Sequence, residues 1–176
     1  IIESKGRISV IGSFSGTLSD ATWGPYSMTK HAMEAYADAL ADEMKQFNVN
    51  VSLIQPGAYR SNIGKNALDR MEKQDRSAAD SQFEKQMNES VSWLNHFDKD
   101  AGDPAEVAEA VMKSLFDDRP KSRYLIVPTQ EQAYWTINRA IERMVEQNSD
   151  QKFSYDRAQL IEMLDAALAK QTGKSP

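Results

Sequence analysis

Three polar side chains lie at spacings that could support proton transfer. Ser13 directly follows a short β-branched run, Tyr26 comes thirteen residues later, and Lys30 follows Tyr26 by four. Residues four apart on an α-helix project from one face, so a helix that begins near residue 25 would place the phenol beside the ammonium. A phenol has a pKa of about 10 and is a poor base at neutral pH, but a nearby ammonium favours the phenolate. Tyr26 and Lys30 therefore form a candidate acid/base pair.

The elements that must position this pair can be predicted from the hydrophobic pattern. The runs 7–11 and 51–55 are short, apolar and bounded by Gly, Asn or Pro, which is typical of buried strands. Pro25 suits the first turn of a helix that continues to about Phe47. A strand, a helix of this length and a second strand make a βαβ unit, whose strands are parallel and whose crossover is right-handed. Apolar residues at helical spacing predict the buried stripe of this helix: Met33, Tyr36, Leu40, Met44 and Phe47.

The remaining elements follow the same α/β pattern. A third strand is expected at 123–127, and Asp103 is expected to cap a helix over 103–116 with Pro104 at its first position. Two further helices are predicted at 131–147 and 154–170, before a frayed tail at 173–176. The polar stretch 58–101 should hold one or two helices, because Phe83, Met87, Val91 and Leu94 keep helical spacing.

A second segment with chemical interest follows the second strand. Open α/β sheets bind their ligands beyond the carboxyl ends of parallel strands, and Pro56, Gly57, Ala58 and Ser61 lie there. Taken alone, Pro56-Gly57 is an ordinary turn that ends a strand.

Together these segments resemble the short-chain dehydrogenase/reductase family. In that family a strand ends in a catalytic Ser, Tyr-x-x-x-Lys follows thirteen residues on, and a later strand ends in Pro-Gly. This sequence has Ile8-Ser9-Val10-Ile11-Gly12-Ser13, Tyr26-Ser27-Met28-Thr29-Lys30 and Ile54-Gln55-Pro56-Gly57. The run that begins at Tyr26 also looks like the branch of retinol and hydroxysteroid dehydrogenases.

The resemblance implies an oxidoreductase that interconverts an alcohol and a carbonyl with NAD or NADP. Tyr26 would exchange the proton, Lys30 would favour the phenolate and bind the nicotinamide ribose, and Ser13 would polarise the substrate oxygen. The loop of Pro56, Gly57 and Ala58 would bring backbone groups to the nicotinamide carboxamide. Ser61 stands where the family has Thr, which keeps the hydroxyl.

The resemblance also implies a Rossmann-like, doubly wound parallel sheet of which only the C-terminal half is present. The eight glycines contain no G-x-x-x-G-x-G spacing for the dinucleotide-binding turn. We therefore expect residues 1–127 to be the second half of the family's domain, with a variable substrate lid at 58–102. Residues 128–176 would form a helical extension. This chain by itself should be inactive, because the phosphate-binding turn would lie outside it.

Two other functions are open at this stage. Gly12-Ser13-Phe14-Ser15-Gly16 is also G-x-S-x-G, the nucleophile elbow of α/β-hydrolases, with Ser15 as the nucleophile and His96 as a downstream histidine. That elbow needs a helix directly after Gly16, and the residues that follow are a poor helix start. The third reading is a non-catalytic binding protein built on a dehydrogenase half.

The composition narrows the choice of partners. A net charge of −5 gives no electrostatic basis for binding nucleic acid, and no apolar run approaches the length of a membrane span. With no cysteine and two histidines, a metal site of thiolates or several imidazoles is not expected. We expect a cytoplasmic protein with a moderately apolar small-molecule substrate, which forms a homo-oligomer through the 26–47 helix.

Overall fold

A computed structural model describes residues 1–74, 79, 81–97, 99 and 101–172. The predicted frayed tail at 173–176 and lid residues 75–78, 80, 98 and 100 lie outside the described residues. The strands are β1 (Arg7–Ile11), β2 (Asn50–Pro56) and β3 (Arg123–Ile126). The α-helices are α1 (Gly24–Lys45), α2 (Ile63–Lys73), α3 (Glu84–His96), α4 (Ala105–Phe116), α5 (Gln130–Asn148) and α6 (Arg157–Thr172).

The three strands form one parallel sheet in the order β1-β2-β3. Ile8 pairs with Val51 and Val10 with Leu53, and one step on Ile54 pairs with Tyr124. Within the described residues β1 pairs with β2 alone, so β2 is the central strand. Its residues Val51 to Gln55 are all buried, as expected for a strand covered on both faces. The predicted α/β class with parallel strands is confirmed.

Helices cover both faces of the sheet because successive strand residues point to opposite sides. On one face Val10, Val51 and Leu53 pack with Ala37 of α1, and Met33, Leu40 and Met44 complete that layer. On the other face Ile54 and Tyr124 pack with Ala110 of α4. The Ser114 hydroxyl, fully buried on α4, donates to Ser9 of β1 at 3.0 Å. The doubly wound arrangement expected from the sequence is thus present for this part of a sheet.

A polar contact fixes α1 across the sheet. Glu34 accepts a hydrogen bond from the Gln55 amide of β2 at 2.8 Å and one from the Arg123 guanidinium of β3 at 3.1 Å. Arg123 also binds the Asp38 carboxylate one turn later on α1, at 2.6 Å. Two strands therefore hold the middle of this helix, one turn beyond Lys30.

Some sequence expectations were wrong in detail. The predicted α1 stripe includes Tyr36, but this side chain is 54% exposed, and Ala37 takes the buried position instead. Helix α4 begins at Ala105, with Pro104 as its capping residue. Asp103 still contributes, because its carboxylate accepts the Ala105 N–H at 2.9 Å. The third strand ends at Ile126, one residue earlier than predicted.

The polar stretch between β2 and α4 contains two helices. Helix α3 was indicated by the spacing that ends at Leu94, which is buried. Helix α2 was not located, because its residues are mostly charged or exposed. Gly64 of α2 lies against α3, since a Cβ there would be 3.0 Å from the Leu94 carbonyl oxygen.

The described chain divides into two compact units, Ile1–Ile137 and Asn138–Pro176. In the second unit, the Asn148 side chain makes two hydrogen bonds of 2.8 Å to the backbone of Tyr155. The prediction began α6 at Ser154, but Asp156 and Gln159 form reciprocal side-chain to N–H bonds of 2.9 Å that start the helix at Arg157. The expected boundary near residue 127 stays a prediction.

None of the helices in the described part of the chain has the length and apolar character needed to cross a lipid bilayer.

Leu53→Ala should lower the free energy of unfolding by about 2–5 kcal/mol, because it leaves a cavity in the layer between β2 and α1. Leu164, which is 57% exposed on α6, offers a matched control. Leu164→Ala should change stability by less than about 0.5 kcal/mol. Urea unfolding followed by circular dichroism measures both; equal losses would show that the core between β2 and α1 is wrongly assigned.

Candidate functional site

The end of β1 places Ser13 at the carboxyl edge of the sheet. The Gly12 N–H donates to the Ile54 carbonyl oxygen at 2.8 Å, which continues the β1–β2 pairing by one residue. Ser13 is buried, and its Oγ accepts the Ser15 N–H at 3.1 Å. This bond opens a short 3₁₀ turn over Phe14–Gly16. Because the oxygen accepts the Ser15 N–H, the Ser13 hydroxyl proton can be donated elsewhere.

The first turns of α1 bring Tyr26 and Lys30 to the same edge. Lys30 Nζ donates to the Gly12 carbonyl oxygen at 3.1 Å, so the ammonium is fastened to the residue before Ser13. The same Nζ lies 5.8 Å from the centre of the Tyr26 ring. Tyr26 and Lys30 are both half-buried. The structure thus joins the three predicted residues through the end of one strand and the start of one helix.

An open cavity of about 1500 Å³ lies over this edge of the sheet. The residues proposed from the sequence for catalysis and coenzyme binding all line it: Ser13, Tyr26, Lys30, Pro56, Gly57, Ala58 and Ser61. Ser61 Oγ accepts the Ile63 N–H at 3.3 Å, at the start of α2. The cavity therefore has hydroxyl, phenol and ammonium groups on one side, where the two strands end.

A row of aromatic side chains forms part of the cavity wall. Trp23 packs edge-to-face on Tyr26 with ring centres 5.8 Å apart, and Trp93 of α3 packs on Trp23 at 5.3 Å. Phe97 continues this row at 4.8 Å from Trp93. The Thr22 and Ser90 hydroxyls form a hydrogen bond of 2.6 Å between the same two segments. The α3 side of the lid is thereby attached beside the phenol of Tyr26.

The two ends of the lid are attached to each other. Gly102 N–H donates to the Ala58 carbonyl oxygen at 2.9 Å, and the Arg60 N–H donates to the Gly102 carbonyl oxygen at 3.1 Å. We call this contact the lid clasp. The buried Tyr59 ring fills the space beside Gly102, where a Cβ would be 2.6 Å from Tyr59 Cε1. Arg60 and Asp103 add an exposed ion pair of 3.3 Å.

The phenol of Tyr59 connects the lid clasp to α4. Its hydroxyl donates to Glu106 Oε2 at 2.7 Å. Burial raises the pKa of Tyr59 well above its usual value, and the hydrogen bond to the Glu106 carboxylate raises the pKa further. This phenol therefore stays protonated and acts as a donor at every physiological pH.

Sequence reasoning overlooked several residues of the site. Trp23 lies in a loop of small polar residues, and no periodicity marks it. Tyr59 lies in the segment after β2 that the sequence singles out, but its contact with Glu106, like that of Gln132 with Ala58, has no sequence signal. Of the apolar residues in the lid, Trp93, Leu94 and Phe97 line the cavity, whereas Met87 does not and Phe83 is 61% exposed.

The hydrolase reading finds no support in the geometry. A short 3₁₀ turn ends at Gly16, and no α-helix begins before Gly24. His96 lies on α3 with its Nδ1 2.8 Å from the Ser92 carbonyl oxygen, and it does not line the cavity. Among the residues that the structure describes, no group of His, Asp or Glu is arranged to hold a metal ion.

Comparison with known sequences identifies relatives of one kind. A family model described as short chain dehydrogenase matches residues 1–72. The probable short-chain type dehydrogenase/reductase VdlC of Helicobacter pylori is 37% identical over 120 residues, which are 68% of this chain and 42% of that protein. The 3beta-hydroxysteroid dehydrogenase dhs-16 of Caenorhabditis elegans is 39% identical over 71 residues, 40% of this chain and 18% of that protein. The chain spans less than half the length of these curated relatives.

The fold has a solved counterpart. A short-chain dehydrogenase from Streptomyces avermitilis superposes with a TM-score of 0.59 at 24% identity, over 82% of this chain and 50% of that one. This likeness extends the match beyond the residues of the family model to most of the described elements.

Tyr59→Phe should lower the free energy of unfolding by about 1–2 kcal/mol near neutral pH, because a buried donor to a carboxylate is lost. The folded-state pKa of Tyr59 lies above its unfolded value of about 10. The unfolded state therefore releases this proton first, and the contribution of Tyr59 falls as the pH rises above about 10. Urea unfolding of both proteins from neutral to alkaline pH should show their difference shrinking; a constant difference would contradict the donor role.

Proposed function

Because this chain belongs to the short-chain dehydrogenase/reductase family, we propose that it forms the C-terminal half of an oxidoreductase that interconverts an alcohol and a carbonyl compound. The observation that carries this proposal is the position of Lys30. Its ammonium is held by the Gly12 carbonyl next to Ser13 and lies over the ring of Tyr26, at the edge of a large cavity. The name of the relative dhs-16 supports the hydroxysteroid branch suggested by the run that begins at Tyr26.

Tyr26 is the proposed proton donor and acceptor. Tyr26 is half-buried and lines the cavity, so a substrate oxygen in the cavity can reach its phenol. Lys30 supplies a fixed positive charge beside the ring, which favours the phenolate when the proton leaves. A single hydrogen bond to Gly12 engages one of the three ammonium protons, so Lys30 can also donate to a ligand hydroxyl.

Ser13 is proposed to orient the substrate oxygen. Its oxygen accepts the Ser15 N–H, which directs the hydroxyl proton away from the 3₁₀ turn. A donor placed there would stabilise negative charge that develops on a carbonyl oxygen during reduction. Ser13 is buried and its Oγ is bonded to the Ser15 N–H, so this short side chain holds its donor in place.

The residues present fit a nicotinamide coenzyme, which is NAD or NADP. Its ring, when bound, supplies or accepts the hydride. The donors available for such a group are the Lys30 ammonium and the Ser61 hydroxyl. The Gly57 and Ala58 N–H groups already donate to Ile126 and Gln132, so the 56–58 loop offers backbone carbonyl oxygens. The Tyr59 backbone N–H and C=O also take no part in the clasp, where Ala58 and Arg60 make the bonds.

The substrate is proposed to be a moderately apolar small molecule. The wall formed by Trp23, Trp93 and Phe97 offers aromatic faces and edges next to the phenol of Tyr26. Such a surface favours apolar carbon skeletons and provides few partners for charged groups.

We also propose a homo-oligomer through the 26–47 helix. The face of α1 turned away from the sheet carries Met28, Ala32, Ala35 and Ala39, all exposed, together with Tyr36. Small residues on an exposed helix face permit close approach of a second helix, so this face suits self-association.

Tyr26→Phe should lower kcat with carbonyl substrates by about 10²–10⁴-fold, because the proton donor is removed while the ring and its packing remain. Turnover is measured in the complete protein that contains this chain, with NADH and NADPH and a panel of aliphatic and aromatic ketones. Tyr36→Phe is the matched control on the exposed face of α1 and should leave turnover unchanged. Normal turnover of the Tyr26 variant would overturn the assignment. Ester hydrolysis that Ser15→Ala abolishes would instead support the hydrolase.

The chain of residues 1–176 by itself should bind neither NADH nor NADPH with micromolar affinity. In the family the phosphate-binding turn precedes β1, so the residues here supply contacts only to the nicotinamide end. Isothermal titration of the purified chain with each coenzyme measures this. Micromolar binding to a folded monomer would show that the chain needs no further half.

A further inference from the structure

Gln132 connects α5 to the loop that follows β2. It lies in the first turn of α5 and is buried. Its side-chain Oε1 accepts the Ala58 N–H at 2.9 Å, seventy-four residues away in the chain. Ala58 lines the cavity together with Pro56 and Gly57. A side chain outside the cavity's own strands thus determines where one cavity-lining peptide group points.

The same amide explains why residue 57 is glycine. A Cβ at Gly57 would lie 2.3 Å from Gln132 Oε1 and 2.8 Å from Val127 Cγ1. A side chain at residue 57 would therefore collide with Gln132 of α5 and with Val127, the residue after β3. The glycine allows the Gln132 amide to reach the backbone of the loop.

Gln132 is itself held firmly. Its N–H donates to the Thr129 hydroxyl at 3.3 Å, and its carbonyl oxygen accepts the hydroxyl of buried Thr136 at 2.9 Å. The loop is fixed from the sheet as well, because the Gly57 N–H donates to the Ile126 carbonyl oxygen at 2.8 Å. The peptide groups on the two sides of Gly57 are therefore held differently: the sheet fixes the Pro56–Gly57 peptide, and a single side-chain oxygen of Gln132 fixes the Gly57–Ala58 peptide.

We propose that Gln132 is a positioning residue for the coenzyme-facing loop Pro56-Gly57-Ala58. This inference rests on the proposed function, in which that loop faces the nicotinamide. Rotation of the Gly57–Ala58 peptide would turn the Ala58 N–H away from Gln132 Oε1 and change the polar groups presented to the cavity. Gln132 acts on the coenzyme through the loop, without contact of its own.

The test compares two substitutions of similar size in the complete protein. Gln132→Met keeps the length and removes the acceptor, whereas Gln132→Glu keeps an acceptor oxygen. Gln130→Met, at an exposed position two residues earlier, is the matched control. We measure dissociation constants for NADH and NADPH by fluorescence titration, steady-state kinetics, thermal unfolding, and hydrogen exchange of the Ala58 amide.

Gln132→Met should raise the dissociation constant and the KM for the preferred coenzyme about tenfold, with a smaller change in kcat, and should speed Ala58 amide exchange by a similar factor. Gln132→Glu should restore coenzyme affinity, although the buried carboxylate makes it the least stable of the variants. If Gln132 had a purely structural role, the less stable variant would also bind coenzyme more weakly. The proposed role predicts instead that Gln132→Glu, the less stable of the two, binds coenzyme more tightly than Gln132→Met.

Gly57→Ala disrupts the same hydrogen bond through the loop rather than through Gln132. The added Cβ would displace the Gln132 amide, so this variant should also lose Ala58 protection and coenzyme affinity. The double variant with Gln132→Met should be less impaired than the two separate losses predict, because both act on one hydrogen bond.

Two results would overturn the inference, and they are distinguishable. If wild-type protein binds neither coenzyme, the proposed function fails, and the role of Gln132 fails with it. If wild-type protein binds coenzyme and Gln132→Met binds it equally well while Ala58 loses protection, the bond exists but does not position the loop for coenzyme.

Discussion

The parallel pairing of β1 with β2 is the constraint on which the site depends. Parallel strands end at the same edge of a sheet, so the residues after both strands meet without any long excursion of the chain. The Gly12 N–H extends this pairing one residue beyond β1 and sets where Ser13 begins. The carbonyl oxygen of the same residue accepts a hydrogen bond from the Lys30 ammonium. One backbone residue therefore connects the sheet, the hydroxyl and the cation.

The long helix α1 carries the phenol at its first turn, but its orientation is fixed farther along. Glu34 joins α1 to both β2 and β3, through Gln55 and Arg123. Glu34 also fills the space beside Gly16, where a Cβ would be 2.6 Å from its Oε1. A carboxylate with several partnered donors is a strong positional restraint. The direction of Tyr26 is thus determined by a side chain two turns away from it.

Much of the fold and part of the site follow from local sequence patterns. The strands were predictable because apolar residues are continuous there, and α1 because Pro25 and its apolar spacing agree. Helix α2 was not, although Ile63, Ala67 and Met71 lie at helical spacing, because polar residues predominate in this segment. The contacts of Gln132 with Ala58 and of Tyr59 with Glu106 join residues far apart in the chain. No spacing rule identifies such pairs, since tertiary packing alone brings them together.

The lid clasp has a consequence for how this scaffold can change. Ala58 and Arg60, at the start of the lid, are bonded to Gly102 at its end. The two ends of the lid are therefore joined at one point beside the sheet. Extending a loop whose ends are already joined costs only about 0.6 kcal/mol for each doubling of its length. Insertions and deletions in the lid should therefore alter the cavity wall and leave the strand register and the position of α1 unchanged. On such a scaffold the cavity wall can change while Ser13, Tyr26 and Lys30 keep their positions at the sheet edge.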